Sequence, residues 1–344
     1  MRGRVPFRGT LLCLATLFFL AVLCPRPAAS QSPLRRILTP GDEHRYRVHL
    51  TVRSELEGPD TVRIGAVTYV KTVQHAAEAR LAWIATESIA RPVENGNVEI
   101  REQQEAFTPL RITQEPAQDD AMAARLAAAL RETLSRWAAP RSVGFQIASN
   151  GAASGLPADA APRFDESPPA LFTLWLMHAL RPTAALPDRP ARAGDVWQEP
   201  RTVQVAGWTD VHAGETAEWL EAAPLPANRA ALRLHVTQEI SGRVDQPAPA
   251  SEPVATSGAS SSGPQTPQKK SSEKTERFFA ESLSTIALED GSVVAASRSA
   301  RKETIQTLAP VPGLSTPPRF RATLSVQVEI ESCVEARCDA AGNP

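Results

Sequence analysis

Apolar and polar residues alternate along one segment of the chain after another, and this period of two is the strongest constraint on the fold. Residues 45 to 53 read RYRVHLTVR, in which every second residue is apolar, and residues 231 to 240 and 320 to 330 follow the same pattern. Alternation of this kind is typical of a β-strand with one buried face. The sequence therefore predicts a fold made mainly of β-strands.

Short turns separate these segments. Asn95-Gly96, Asn150-Gly151 and Asp290-Gly291 each follow one alternating segment and precede the next. A pair of this type favours a tight hairpin, because glycine adopts the positive φ that such turns need. We predict curved antiparallel sheets, arranged either as a half-barrel or as a sandwich.

Two helices are expected within this β-rich chain. The first, at about 119–137, begins at a capping Asp119 or Asp120 and places an apolar stripe on one face: Met122, Leu126, Leu130, Leu134 and Trp137. The second, at about 168–180, contains the run LFTLWLMHAL, which is apolar on nearly every side. Ten residues are too few to cross a bilayer, so this helix is expected to be buried or to fill a cavity.

Residues 1–30 are typical of a secretory signal peptide. Arg2, Arg4 and Arg8 precede an apolar run from Leu11 to Cys24, and small residues follow at 28–30. Cleavage near Ser30/Gln31 would send the mature chain to the periplasm or outside the cell, with no transmembrane segment. A retained N-terminal anchor is the alternative.

The second half of the chain resembles the first. Residues 39–52 (TPGDEHRYRVHLTV) align with residues 192–205 (RAGDVWQEPRTVQV) through a shared Gly-Asp pair. A pivot at 186–197, LPDRPARAGDVW, separates them. We therefore predict two related β-rich halves, at 31–185 and 198–332. At an offset of 151 residues, two fewer than that of the Gly-Asp pairs, the strand at Leu81–Ala85 meets the strand at Leu232–Val236.

Composition predicts the character of the remaining segments and excludes one class of partner. Residues 246–276 are rich in Pro, Ser, Thr and Gly and are expected to be a disordered insertion in the second half. The tail at 333–344 holds Cys333 and Cys338, which in an exported protein favour a small disulfide. Removal of residues 1–30 changes the formal charge from −1 to −5, which argues against nucleic acid as a partner.

No residue pattern identifies a catalytic, cofactor or metal site. The sequence lacks the nucleophile-elbow, zinc-protease and P-loop motifs. Ser299–Lys302 fits the S-x-x-K pattern but lies in a predicted strand, where the serine and lysine point to opposite faces. We interpret Glu99, Glu102 and Glu105 as a solvated face, and we assign no catalytic residue, cofactor or metal ligand.

Aromatic residues indicate a different kind of site. We predict an apolar pocket between the curved sheet and the second helix, lined by Phe172, Trp175 and Leu176. The alternative is that these side chains belong to a large core. His178 lies on the same helix, and we expect it to be a buried core residue rather than a ligand.

The Gly-Asp strand start (Gly41, Asp42) and the pivot residues resemble an uncharacterised family of exported bacterial proteins. In the pivot, the Leu-Pro…Gly-Asp-x-Trp motif is matched by residues 186, 187, 194, 195 and 197. The resemblance covers most of the mature chain and implies no activity. At the level of fold alone, a curved sheet that holds an apolar helix is similar to the half-barrels of periplasmic lipoprotein carriers.

These observations leave three functional hypotheses. The first is an exported, non-enzymatic protein that binds an apolar ligand or lipid. The second is an interaction or assembly module of the cell envelope, with an envelope protein as its partner. The third is a hydrolase whose carboxylates have no recognisable motif.

Overall fold

The computed structural model describes residues 33–64, 67–93, 96–116, 120–164, 171–199, 208–220, 230–244, 273–307, 317–333 and 338. Within these residues twelve strands form one antiparallel sheet. Their bounds are β1 (Glu43–Ile64), β2 (Val67–Pro92), β3 (Val98–Glu105), β4 (Arg111–Glu115), β5 (Arg141–Ile147), β6 (Ala153–Ser154), β7 (Val196–Glu199), β8 (Trp208–Leu220), β9 (Ala231–Val244), β10 (Glu273–Ala287), β11 (Val293–Thr307) and β12 (Arg319–Ser332). The helices are α1 (Ala121–Trp137) and α2 (Leu171–Ala179).

The strands form two meanders that join in the middle of the sheet. The strand order is β6-β5-β3-β2-β1-β12-β11-β10-β9-β8-β7, with β4 paired to β2. The first and last strands therefore meet in the middle of the sheet, where Val48 faces Ile330 and Leu50 faces Val328. The chain leaves one edge after β6 and returns at the other edge as β7. Helix α2 and the pivot lie in this crossing segment.

A short N-terminal segment shows how strongly the sheet curves. Arg36 N donates to the carbonyl of Ser149 in the β5–β6 turn, and Ile37 N donates to Asp290 in the β10–β11 turn. In a flat sheet these turns, six strands apart, would be separated by about 29 Å. Two consecutive residues reach both turns, so the sheet is rolled. One rolled sheet corresponds to the half-barrel prediction and not to the sandwich.

The predicted elements are confirmed where their patterns are clear. The alternating residues Tyr46, Val48, Leu50 and Val52 of β1 are all buried. Helix α1 is capped by Asp120, whose side chain accepts hydrogen bonds from two backbone N–H groups of the first turn. Leu130, Leu134 and Trp137 of the predicted stripe are buried in the main core against β2, whereas Met122 and Leu126 are only partly buried.

The two Gly-Asp strand starts have the same local structure. Gly41 N donates to Ile89 O at 2.9 Å, and Gly194 N donates to Trp219 O at 2.7 Å. In both cases the following aspartate carbonyl accepts from the N–H of that same partner residue, at 3.0 and 2.9 Å. Both glycines have positive φ, of 95° and 88°. Strands β1 and β2 therefore begin their pairing in the same way as β7 and β8.

The rest of the alignment is not equivalent in the fold. Leu81–Ala85 lies on β2, the second strand after its Gly-Asp start, whereas Leu232–Val236 lies on β9, the third strand after its own. The offset of 151 residues therefore matches these two strands in their alternation of apolar residues and not in their place in the fold. The duplication of the two halves stays a prediction that rests on the Gly-Asp starts.

The predicted segments at the ends and in the loop have different outcomes. Residues 1–30 lie outside the described residues, as does most of the insertion at 246–276. The last four residues of this insertion, Glu273–Glu276, belong to β10 and pair with β11. The prediction of disorder is therefore wrong for these four residues. Cys333 and Cys338 are joined by a disulfide, with Cα atoms 5.4 Å apart.

Candidate functional site

Helix α2 lies on the concave face of the sheet and forms one wall of a cleft. Its Phe172 and Leu176 side chains are fully buried, while Leu174 is 42% exposed. The Trp175 side chain is partly exposed. Its ring packs edge-on against Phe278 of β10, with ring centroids 6.4 Å apart. The helix therefore presents one side to the core and another to the cleft.

The cleft has a volume of about 600 Å³ and lies between α2, the loop that follows it, and the concave side of β7–β10. Aromatic rings form much of its wall: Trp175 from α2, Trp197 from β7 and Phe278 from β10. Small and aliphatic residues such as Ala217 and Leu234 complete the floor. Polar side chains share the lining with these apolar groups, among them His178, Gln238 and Arg298.

The three residues predicted to line an apolar pocket divide between the cleft and the core. Trp175 is on the cleft wall. Phe172 and Leu176 face inward, and Phe172 packs against Phe164 and Phe278. His178 was expected to be a buried core residue, but it is exposed on the cleft wall. Partial desolvation of the ring, together with the positive charges of Arg181 and Arg298, lowers the pKa of His178 and favours the neutral imidazole.

Arg298 of β11 holds the end of α2 in place. Its guanidinium donates to the carbonyl oxygens of His178, Ala179 and Arg181 at 2.6–3.0 Å, and also to that of Thr183. These carbonyls belong to the last turn of α2 and the loop after it, where the helix leaves acceptors unpaired. The Arg298 side chain lies on the cleft wall and is almost completely buried.

Two buried ion pairs fix the same loop to the other half of the sheet. Arg36 Nη2 lies 3.0 Å from Glu87 Oε2, and Arg181 Nε lies 3.1 Å from Glu102 Oε2, with all four side chains at most 2% exposed. Arg36 also donates to the carbonyl of Pro182 at 3.2 Å. Three arginines therefore hold the segment that forms this wall of the cleft.

Burial changes the protonation of these groups. Desolvation raises the pKa of Glu87 to about 7, although the neighbouring Arg36 opposes the shift. The pKa of Glu102 is raised for the same reason, against the attraction of Arg181. Desolvation lowers the pKa of Arg298 to about 10, which still leaves it charged at neutral pH.

The interpretation of the Glu99–Glu105 cluster as a solvated face is wrong for Glu102. Glu102 is fully buried, accepts from Gln104 Nε2 at 2.6 Å and faces the core beside Ile100. Glu99 and Glu105 are the members that remain accessible. The signal that could have found Glu102 is its phase, since it has the same strand parity as Ile100.

Two features are absent from the described part of the chain. It contains no group of three or more His, Cys, Asp or Glu side chains placed to hold a metal ion. Neither described helix has both the length and the apolar character needed to span a membrane.

Comparison with known proteins gives distant likenesses only. No family model and no curated protein matches the chain. A structure of lipovitellin that concerns its lipid–protein interactions aligns with 87% of this chain at 11% identity and a TM-score of 0.37. This chain spans 26% of the length of that protein. An outer membrane channel from Pseudomonas putida F1 aligns with 89% of this chain and 99% of its own, at 8% identity and a TM-score of 0.16.

Proposed function

We propose that this is an exported, non-catalytic protein that binds an apolar small molecule in the cleft between α2 and β7–β10. The observation that carries the proposal is the aromatic wall of Trp175, Trp197 and Phe278 around an open volume of about 600 Å³. Small-molecule pockets are typically about 300–1,000 Å³ and are lined by apolar and aromatic side chains with few polar groups. The cleft has this volume and an aromatic wall, and polar side chains such as Gln238 and Ser284 share its lining.

The position of Leu174 adds support. A leucine that is 42% exposed on this apolar helix leaves hydrocarbon in contact with water at the cleft. A bound apolar molecule would cover that surface and gain the free energy of removing it from water. The three buried arginines keep the wall in place, so little ordering is required on binding.

An assembly module that uses sheet edges has less support. The two edge strands are short, with two residues in β6 and four in β7. Within the described residues these two strands cover only part of β5 and β8, whose remaining edge backbone is open to a partner strand. We place ligand binding ahead of assembly because the cleft is a defined site for it.

Binding of N-phenyl-1-naphthylamine, an uncharged fluorescent probe, tests the proposal. We expect saturable binding to the mature protein, weakened about fivefold in Leu174→Gln because part of a leucine contact is lost. Leu288→Gln is the matched control, since Leu288 is 38% exposed but is not among the cleft residues. No saturable binding, or equal loss in both variants, would contradict the proposal.

A further inference from the structure

Charged side chains of both signs lie on the cleft wall, and each of them already has a partner. Asp188, Glu215 and Glu281 share the wall with Arg298. Arg298 donates its N–H groups to four backbone carbonyls, and the Asp188 carboxylate lies 3.2 Å from Arg35 Nη1. Glu215 and Glu281 each have an interaction of their own. A charged ligand group would therefore lose its water without gaining a free charge of opposite sign in the described lining.

The uncharged polar side chains of the cleft floor are different, because their hydrogen-bonding groups are unused. Ser282 and Ser284 of β10 and Gln238 of β9 all line the cleft. Within the described residues, none of these three side chains forms a hydrogen bond. Two hydroxyl groups and one amide are therefore available to a ligand.

The strand register places these three residues together on one face of the sheet. Ser282 and Ser284 are two positions apart on β10, so their side chains lie on the same face and their Cα atoms are about 7 Å apart. Gln238 pairs with Ala280, which is the preceding residue of that face of β10. The three residues therefore form a short polar strip, which is bordered on β9 by Leu234 opposite Ser284.

Ser284 is the most deeply buried member of this strip, with 1% of the residue exposed. A buried hydroxyl without a hydrogen-bond partner is destabilising, and native proteins leave few such groups unpaired. Because Ser284 lines the cleft, a molecule that occupies the cleft can supply the missing partner. This unused group indicates what a ligand must offer at the floor of the cleft.

We infer that the ligand is an uncharged amphiphile, whose hydroxyl or ester oxygen bonds to the strip at Ser284 and whose hydrocarbon lies against Trp175 and Phe278. The inference rests on the proposed function and adds the chemical class of the ligand. A serine hydroxyl both donates and accepts, so it suits a ligand hydroxyl and can also donate to an ester carbonyl. Phe278 shares the strand face of Ser282 about 14 Å away, which separates the apolar contact from the polar one.

Five competitors with the same ten-carbon chain test this inference by displacement of N-phenyl-1-naphthylamine at pH 8. They are decanol, methyl decanoate, 1-chlorodecane, decanoate and decyltrimethylammonium, each below its solubility limit and micelle concentration. In a cavity without hydrogen-bonding groups 1-chlorodecane should be the strongest, because a hydroxyl or ester loses its water on entry. We expect decanol or methyl decanoate to act at an equal or lower concentration than 1-chlorodecane, and the two charged compounds to need concentrations about tenfold higher. Comparison of decanol with methyl decanoate distinguishes a hydroxyl from an ester.

Substitutions then locate the polar contact, through the ratio of the affinity for the stronger uncharged polar competitor to the affinity for 1-chlorodecane. Ser284→Ala should lower this ratio about fivefold, which is the usual value of one hydrogen bond between neutral groups. Ser299→Ala is the matched control, because Ser299 lies on β11 with the strand parity opposite to that of Arg298 and outside the cleft lining. If Ser284→Ala does not fold, the ranking of competitors on the wild-type protein still decides the class of the ligand.

The outcomes separate the two proposals. Displacement by 1-chlorodecane at a lower concentration than both decanol and methyl decanoate would overturn the polar class but leave apolar binding intact. Displacement by either charged compound as readily as by decanol would overturn the uncharged class. An equal change of the affinity ratio in Ser284→Ala and Ser299→Ala would overturn the role of Ser284. Failure of the probe to bind at all would overturn the proposed function itself, and the ligand class with it.

Discussion

Arg36→Met should destabilise the protein strongly, because it leaves a buried carboxylate without its cation. The Arg36 and Glu87 side chains are 2% and 1% exposed and lie 3.0 Å apart. Breaking a buried pair of this kind by removal of one partner costs about 3–5 kcal/mol. The change also removes the bond from Arg36 to the Pro182 carbonyl, which helps to hold the loop after α2.

The loss should depend on pH, and its direction follows from Glu87. Burial raises the pKa of Glu87 from 4.5 to about 7 in the folded protein. A raised pKa means that the folded state binds the proton more tightly than the unfolded state. The stabilisation from that proton is about 3 kcal/mol, is complete below pH 4.5 and disappears as the pH rises through 7. Arg36→Met should therefore cost more at pH 8 than at pH 5.5, where Glu87 is neutral.

Urea unfolding followed by tryptophan fluorescence, at pH 5.5 and pH 8, measures both effects. The double variant Arg36→Met, Glu87→Met should recover most of the stability at pH 8, since no unpaired charge remains. Arg136→Met is the control: Arg136 pairs with Glu132 on the surface of α1, and its loss should change stability by less than about 0.5 kcal/mol. A cost below about 1 kcal/mol for Arg36→Met at pH 8, or a double variant no more stable than the single one, would refute the reasoning.

Two further changes test the turn and the helix cap, both by urea unfolding. Gly291→Ala should cost about 1–3 kcal/mol, because φ is +68° and the new Cβ would lie 2.6 Å from the Arg35 carbonyl oxygen. Gly96→Ala has a similar φ of +75° but open space around the new Cβ, so it should cost less; equal costs would argue against the close approach of the N-terminal segment. Asp120→Ala should cost about 0.5–2 kcal/mol through loss of two cap hydrogen bonds, and an unchanged midpoint would contradict the capping role.

Local patterns were sufficient to predict the parts of the fold that depend on neighbouring residues. The alternation of residues 45–53 predicted both the strand and its buried face, because side-chain direction has a strict period of two. Asp120 before an apolar stripe predicted the start of α1 for a similar reason, since a cap acts within its own turn. The Gly-Asp pairs predicted equivalent strand starts, which the matching hydrogen bonds of Gly41 and Gly194 display.

The pairing of the buried charged residues near the cleft was not predictable from local patterns. Glu87, Glu102 and Arg298 share the strand phase of buried apolar neighbours, so an inward position could be inferred from the sequence. Their partners could not, because Arg36 and Arg181 lie 51 and 79 positions away from their glutamates in the chain and meet them only after the sheet has rolled. The cleft itself depends on where α2 crosses between the two edges. A local pattern carries no information on such long-range placement.

The measurement that tests the central claim most directly is a crystal structure of the mature protein with 12-bromododecanol, in which anomalous scattering locates the bromine. Ligand binding in the cleft predicts a bromine peak between α2 and β7–β10, within contact distance of the rings of Trp175, Trp197 or Phe278. A bromine peak on the convex face or at the sheet edges, with an empty cleft, would contradict the account.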